Sequence, residues 1–209
     1  MEFLFLIGIL IFSVVIHEVS HGVVASLLGD PTAKQAGRLT LNPIPHIDPI
    51  GSVILPFMLA VFSGIAGGGI IFGWAKPVPV NTQNLKNQRY GPSLVSIAGP
   101  IANLAVALVF GLALRFIPVY QFSEALALIF SAIVRLNILL AVFNLLPIPP
   151  LDGSHVLFSF LPRSMDSVRA FLLQYGFIIL LLVILFFSDF LSPAIQGFYR
   201  FIVGSPLFL

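Results

Sequence analysis

The sequence predicts an all-α polytopic membrane protein with about five transmembrane helices and short membrane-associated β segments. Two observations carry this reading: 58% of the 209 residues are apolar while only 9% are charged, and mean hydropathy is +1.08. A soluble domain carries roughly a quarter of its residues as Asp, Glu, Lys and Arg, so the solvent for most of this chain is lipid. A third observation places the crossings. Apolar runs at 3–28, 50–73, 93–114 and 168–188 are each long enough, at about 1.5 Å per helical residue, to cross a ~30 Å hydrocarbon core.

The first run has Glu2 where a secretory signal has basic residues, and no small-residue cleavage pattern follows, so it reads as a retained helix. Between it and the second run, residues 38–42 alternate and end in turn residues. The stretch 74–81 after the second run is proline-rich and extended. A further crossing is expected at 136–161, with Arg135 and Arg163 at its two ends, because the apolar region from Ser123 to Leu161 is too long for one straight span. Prolines 147, 149 and 150 cannot sustain a helix. The chain should therefore be helical to about Leu145, unwind through Pro150 and resume from about Asp152. Irregular backbone at membrane depth survives only where protein or water surrounds it, which makes this break a pointer to function. Residues 189–209, broken by Asp189, Pro193, Gly197 and Pro206, read as an interfacial or re-entrant tail rather than a sixth span. The whole, 1–209, reads as one integral-membrane domain.

Charge and cysteine content exclude several classes. Ten basic against eight acidic residues leave an excess of two with no Lys/Arg run, so nothing points to a nucleic-acid partner. With five flanking positives on each side of the bilayer, orientation is undetermined. Zero cysteines exclude disulfides, thiolate catalysis and Cys-ligated metals. A metal must be held by histidine and carboxylate.

The first run contains His17-Glu18-Val19-Ser20-His21, an H-E-x-x-H pattern. Histidines at i and i+4 share a helical face and can converge on one zinc ion, and the glutamate at the edge of that face can reach a metal-associated water. At bilayer depth a charged side chain costs about 2.5 to 3.5 kcal/mol on the insertion scale, and a metal compensates a cluster of such groups. Catalytic zinc takes three protein ligands and leaves a position open. The candidates for the third are Asp152 and His155, with His46 and Asp48 as outsiders. Asp152 is preferred, since it lies at the depth of His17 and His21 on an unwound approach. His155 reads instead as a core or supporting histidine, and His46 as part of a turn.

Two motifs together, His17-Glu18-Val19-Ser20-His21-Gly22 and Asn144-Leu145-Leu146-Pro147-Ile148-Pro149-Pro150-Leu151-Asp152-Gly153, resemble the signatures of the site-2 protease family of intramembrane zinc metalloproteases. Gly99-Pro100-Ile101-Ala102-Asn103 is similar to a glycine-proline pattern of that family. The resemblance runs over roughly residues 5–160. It implies His17, His21 and Asp152 as ligands of one Zn2+, Glu18 as the catalytic carboxylate, and Asn144 as a group that positions substrate or the developing oxyanion. It further implies hydrolysis of peptide bonds in or near transmembrane segments of membrane-protein substrates, in a bacterial or archaeal cytoplasmic membrane. A PDZ domain, which many bacterial members carry between the motifs, has no room here. Because a helical substrate must unwind, substrates with helix-breaking residues should be favoured, and residues 38–42 are the candidate edge for an added strand. The competing readings are a zinc transporter, which wants successive polar sites along a route, and a membrane binding protein without turnover, which has no need of Glu18.

Overall fold

The computed structural model describes residues 2–54, 75–117, 123–187 and 190–204. Its helices, in chain order, are α1 (Glu2–Leu27), the short α2 (Thr32–Gln35), α3 (Gly91–Phe116), α4 (Glu124–Asn144), α5 (Asp152–Phe160), α6 (Asp166–Phe187) and α7 (Leu191–Val203). Among the described residues four helices are long and apolar enough to cross a bilayer: α1, α3, α4 and α6. The expected second span lies, from residue 55 on, outside the described residues.

Helix ends follow local chemistry. α1 stops where Gly29 takes φ +108°, a left-handed conformation that a side chain would resist. Ser123 caps α4 by accepting a hydrogen bond from the Leu126 amide. That cap lets the helix run unbroken from Glu124, so the expected crossing at 136–161 is corrected. The spanning helix is Glu124–Asn144, and Arg135 sits exposed within it rather than at its end. The break itself falls where the prolines put it, with α4 ending at Asn144 and α5 starting at Asp152.

Neither expected β segment forms a ladder among the described residues. In the first, local side chains capture the main chain: Thr40 Oγ1 accepts from the Asn42 amide and Asn42 Oδ1 from the Ile44 amide. The second is extended at 75–81, but Pro77 and Pro79 have no N–H to give. Its remaining bonds fasten it as a strap. The Lys76 amide donates to the His46 carbonyl (2.9 Å), Lys76 O accepts from the Arg38 guanidinium (2.7 Å), and the Asn81 amide donates to Asp30 (2.7 Å).

α3 is the centre of the bundle, touching α1, α4, α5 and α7. One cluster of buried residues joins Ala107 and Leu114 of α3, Val134 and Ile138 of α4, and Tyr199 and Ile202 of α7. Burial against lipid-like surroundings gains little transfer energy, so close packing and hydrogen bonds hold such a bundle. Tyr199, fully buried, shares a 2.8 Å hydrogen bond with Ser131, and Gly111 leaves the notch into which Ile202 fits. The thirteen residues of α7 make it a packed tail helix.

Candidate active site

Three segments meet around the H-E-x-x-H turn. α1 contributes His17 and His21 by its own repeat, with ring centroids 4.7 Å apart and planes nearly perpendicular. The proline-rich loop folds the start of α5 back against the end of α4. A side chain at Gly153 would overlap the Leu145 carbonyl, so the Asp-Gly pair is what this return requires. It delivers Asp152 to the two imidazoles, Oδ2 lying 3.0 Å from His17 Nε2 and 3.4 Å from His21 Nε2. α3 closes the floor at Gly99, where an added Cβ would stand 2.5 Å from His17 Cε1 and 2.6 Å from His21 Nε2.

One ligand atom from each of His17, His21 and Asp152 lies within 4.8 Å of the other two, the one such group of histidines and carboxylates among the described residues. The donor set suits zinc: two imidazoles and a carboxylate. Asp152 Oδ2 is buried with no hydrogen-bond donor, although two ring nitrogens face it. A buried anionic oxygen left unpaired is expensive, and a cation between the three atoms removes that penalty. The residues present therefore fit the metal.

Glu18 points sideways to the strap, its Oε2 accepting from the Val78 amide at 2.9 Å. Gly22 permits the approach, since a Cβ there would meet Leu39 Cδ2 at 2.6 Å and Val78 Cγ1 at 2.9 Å. The strap is held at its far end by Asp30, fully buried, which receives bonds from Thr32, Asn81 and Asn84. Burial pushes the Asp30 carboxyl up, but the hydrogen bonds from Thr32, Asn84 and Asn81 outweigh it and hold the group below the usual carboxylate range.

The remaining sequence candidates fall elsewhere. Asn144 bonds its amide to Leu140 O at 2.9 Å, in its own helix. His46 is buried among Arg38 and Thr40, its Nε2 3.0 Å from Thr40 O, and it serves the strap rather than the cluster. Asp48 accepts from the Ile50 and Gly51 amides. His155, expected as a core or supporting histidine, is exposed, and its main-chain oxygen accepts from Ser93. Sequence reasoning met Asn103 only as the end of the Gly99–Asn103 pattern, with no role, and missed Asn137 and Ser13. Asn103 Oδ1 lies 2.6 Å from His17 Nδ1, and its amide meets Asn137 and Ser13. The signal in the sequence is a polar residue inside an apolar span, which says that a partner exists without naming it.

Comparison with known proteins bears on this geometry. The profile of peptidase family M50 matches residues 121–183, the stretch that carries Asp152. YwhC of Bacillus subtilis, which bears the name of a zinc metalloprotease, is 40% identical over 185 residues, covering 86% of this chain and 79% of its own length. The chain belongs to peptidase family M50. Rip2 of Mycolicibacterium smegmatis, also named as a zinc metalloprotease, is 34% identical over 202 residues, with 94% of this chain and 70% of the relative covered. MJ0611 of Methanocaldococcus jannaschii shares 42% identity over 65 residues, about 30% of either chain. No solved structure matches. As an M50 peptidase with a bundle of apolar helices, the protein is an intramembrane zinc metalloprotease.

Proposed function

We propose that His17, His21 and Asp152 hold the catalytic zinc, that Glu18 is the general base, and that the enzyme cuts within or beside transmembrane segments of membrane-protein substrates. The single observation that carries this is the unpaired, buried Asp152 Oδ2 facing both imidazole Nε2 atoms. When bound, zinc supplies Lewis acidity, making water a nucleophile near neutral pH and polarising the scissile carbonyl.

The chain's own residues do the rest. With Oε2 tied to the Val78 amide, Glu18 presents Oε1 to take the proton of the attacking water and pass it to the leaving amine. Asn144, after its bond to Leu140, retains an N–H and a carbonyl oxygen with which to hold the substrate backbone or the developing oxyanion. Ser13, Asn103 and Asn137 add polarity around the site. A membrane-embedded substrate and a bacterial or archaeal cytoplasmic membrane suit a chain whose relatives come from such organisms, and the chain acts there as one membrane domain. The strand-addition role expected of residues 38–42 is not carried over, because the amides of Arg38 and Asn42 are bonded locally.

Zinc content and cleavage of a model transmembrane substrate, measured together on purified protein, test the assignment. Glu18→Gln should keep zinc and lose about 10²- to 10⁴-fold in rate, while Asp152→Ala should lose the metal. A Glu18→Gln protein that cuts at the wild-type rate removes Glu18 from the mechanism, and zinc retained in Asp152→Ala removes the aspartate.

A further inference from the structure

We propose that Asn103, oriented in turn by Asn137, is a positioning residue that dictates which nitrogen of His17 faces the metal. The inference rests on the assignment of His17 as a zinc ligand and goes beyond it to the origin of the ligand's polarity. It begins at a main-chain atom distant from the site.

The side chains of Asn103 and Asn137 are both fully buried, one on α3 and one on α4. The two ends of a carboxamide have nearly the same shape but opposite chemistry, one donating and the other accepting. A peptide carbonyl can only accept. The end of Asn137 that lies 2.9 Å from Ile133 O is therefore its NH2, and the second N–H goes to Ser13 Oγ, also at 2.9 Å. This turns Asn137 Oδ1 toward Asn103. The facing end of Asn103, 2.8 Å away, must then donate, and its other N–H reaches Ser13 O at 3.2 Å.

Only one orientation of Asn103 is left. Its Oδ1 faces His17 Nδ1 at 2.6 Å, so that nitrogen carries the proton, and the Nε2 lone pair is turned toward Asp152 Oδ2, 3.0 Å away. Reversing Asn103 alone would set its oxygen against two other oxygens, Ser13 O and Asn137 Oδ1. Two main-chain carbonyls, on α1 and α4, thus fix the sense of the whole relay. His21 reaches the same state directly, its Nδ1 lying 2.7 Å from Val95 O. Polar residues in membrane helices commonly glue the helices together. A glue role alone is indifferent to which end of the last amide meets the histidine, whereas here every donor and acceptor agrees on the end that frees Nε2.

The test is zinc affinity, measured by chelator competition in micelles for wild type, His17→Ala, Asn103→Leu, Asn103→Asp and Asn137→Leu, together with ¹⁵N-histidine NMR of the zinc-loaded wild type. Asn103→Leu keeps the volume without an acceptor and should bind zinc about 10- to 100-fold more weakly. Asn103→Asp keeps an acceptor opposite Nδ1 but loses both N–H donors and sets an oxygen against Ser13 O and Asn137 Oδ1, so it should bind zinc more weakly than wild type yet more tightly than Asn103→Leu. Asn137→Leu should fall between, since Ser13 O still holds Asn103. The wild-type spectrum should show His17 protonated at Nδ1 and metal-shifted at Nε2. Wild-type affinity in Asn103→Leu, equal loss in the Leu and Asp variants, or metal on His17 Nδ1 would overturn the relay; the spectrum does so without any variant having to fold. Undiminished zinc binding by His17→Ala would instead sink the ligand assignment itself.

Discussion

α3 and α6 have nearly the same apolar character over nearly the same length, with window hydropathies of 2.1 and 2.4, yet 39% of the first window is buried in protein and only 11% of the second. Hydropathy reports that both can cross a bilayer and nothing about what they do there. Small and polar residues separate them. α3 places Gly99, Asn103, Ala107 and Gly111 at intervals of four on one face, where His17, the asparagine relay and α7 come close. α6 is lined with Phe171, Phe177, Ile178, Leu182 and Leu185, all roughly half or more exposed. A close approach on this helix is again at a glycine, Gly176, against Pro149 of the loop that carries Asp152. In lipid a helix is built into the protein by what it leaves out.

Gly99→Ala breaks the comparison most severely. The added methyl would stand 2.5 to 2.6 Å from atoms of both imidazoles, in a floor formed by helix backbone that cannot retreat. Overpacking of this kind costs about 1–3 kcal/mol in stability, and displaced ligands lose about 10- to 100-fold in metal affinity or more. Zinc content after dialysis against a buffered chelator should therefore drop sharply. Normal zinc content in Gly99→Ala would mean that the imidazoles stand farther from α3 than their positions here.

Val78→Pro sharpens a second contrast, between the metal side of the site and the strap. It deletes only the amide that fixes Glu18 Oε2, in a segment already bounded by Pro77 and Pro79. Zinc should stay bound while turnover falls by about 10- to 100-fold, the share of general-base catalysis that depends on orientation. Val78→Ala retains the N–H and should keep most of the rate. Equal rates in the Pro and Ala variants would show that the strap's amide does not position the base.

How much of this could be read from the sequence depends on the range of the physics involved. The proline break, the Asp152 restart and the pairing of His17 with His21 are local: they follow from ring closure at proline and from the helical repeat. Arg135 misled because a charge in an apolar run suggests an interface, whereas an arginine on a helix face exposed on one side can stay within the run. The strap misled in the same way. Alternation at 38–42 looks like a strand, but pairing needs a partner edge, and Thr40 and Asn42 consume the amides first. The asparagine relay was not readable, because its meaning lies in which atoms of α1, α3 and α4 face one another. A buried Asn in an apolar helix announces only that some partner exists.

Asp30 lets the strap be tested by pH. Its folded pKa is depressed, so its contribution is present above the ordinary carboxylate value of about 3.9 and is lost as pH falls through the folded value. Melting temperature in micelles should therefore decline below about pH 4 more steeply in wild type than in Asp30→Asn. At neutral pH the Asn variant should be less stable by about 2 kcal/mol, the scale of lost hydrogen bonds to a charged acceptor. Parallel acid limbs in the two proteins would show that Asp30 is not what holds the strap's end.

The smallest effect belongs to α6, and it decides how the opening contrast is to be read. Phe177 is 54% exposed on that helix. If its ring faces acyl chains, Phe177→Ala exchanges one apolar surface for another and leaves no protein cavity behind, so stability should change by no more than about 0.5 kcal/mol. A ring packed against protein would cost about 3–5 kcal/mol on truncation, through the cavity it leaves. A loss of that size would place another element of the chain, or a second copy of it, against α6. The near-absence of small residues on that helix would then mark a different kind of packing rather than none.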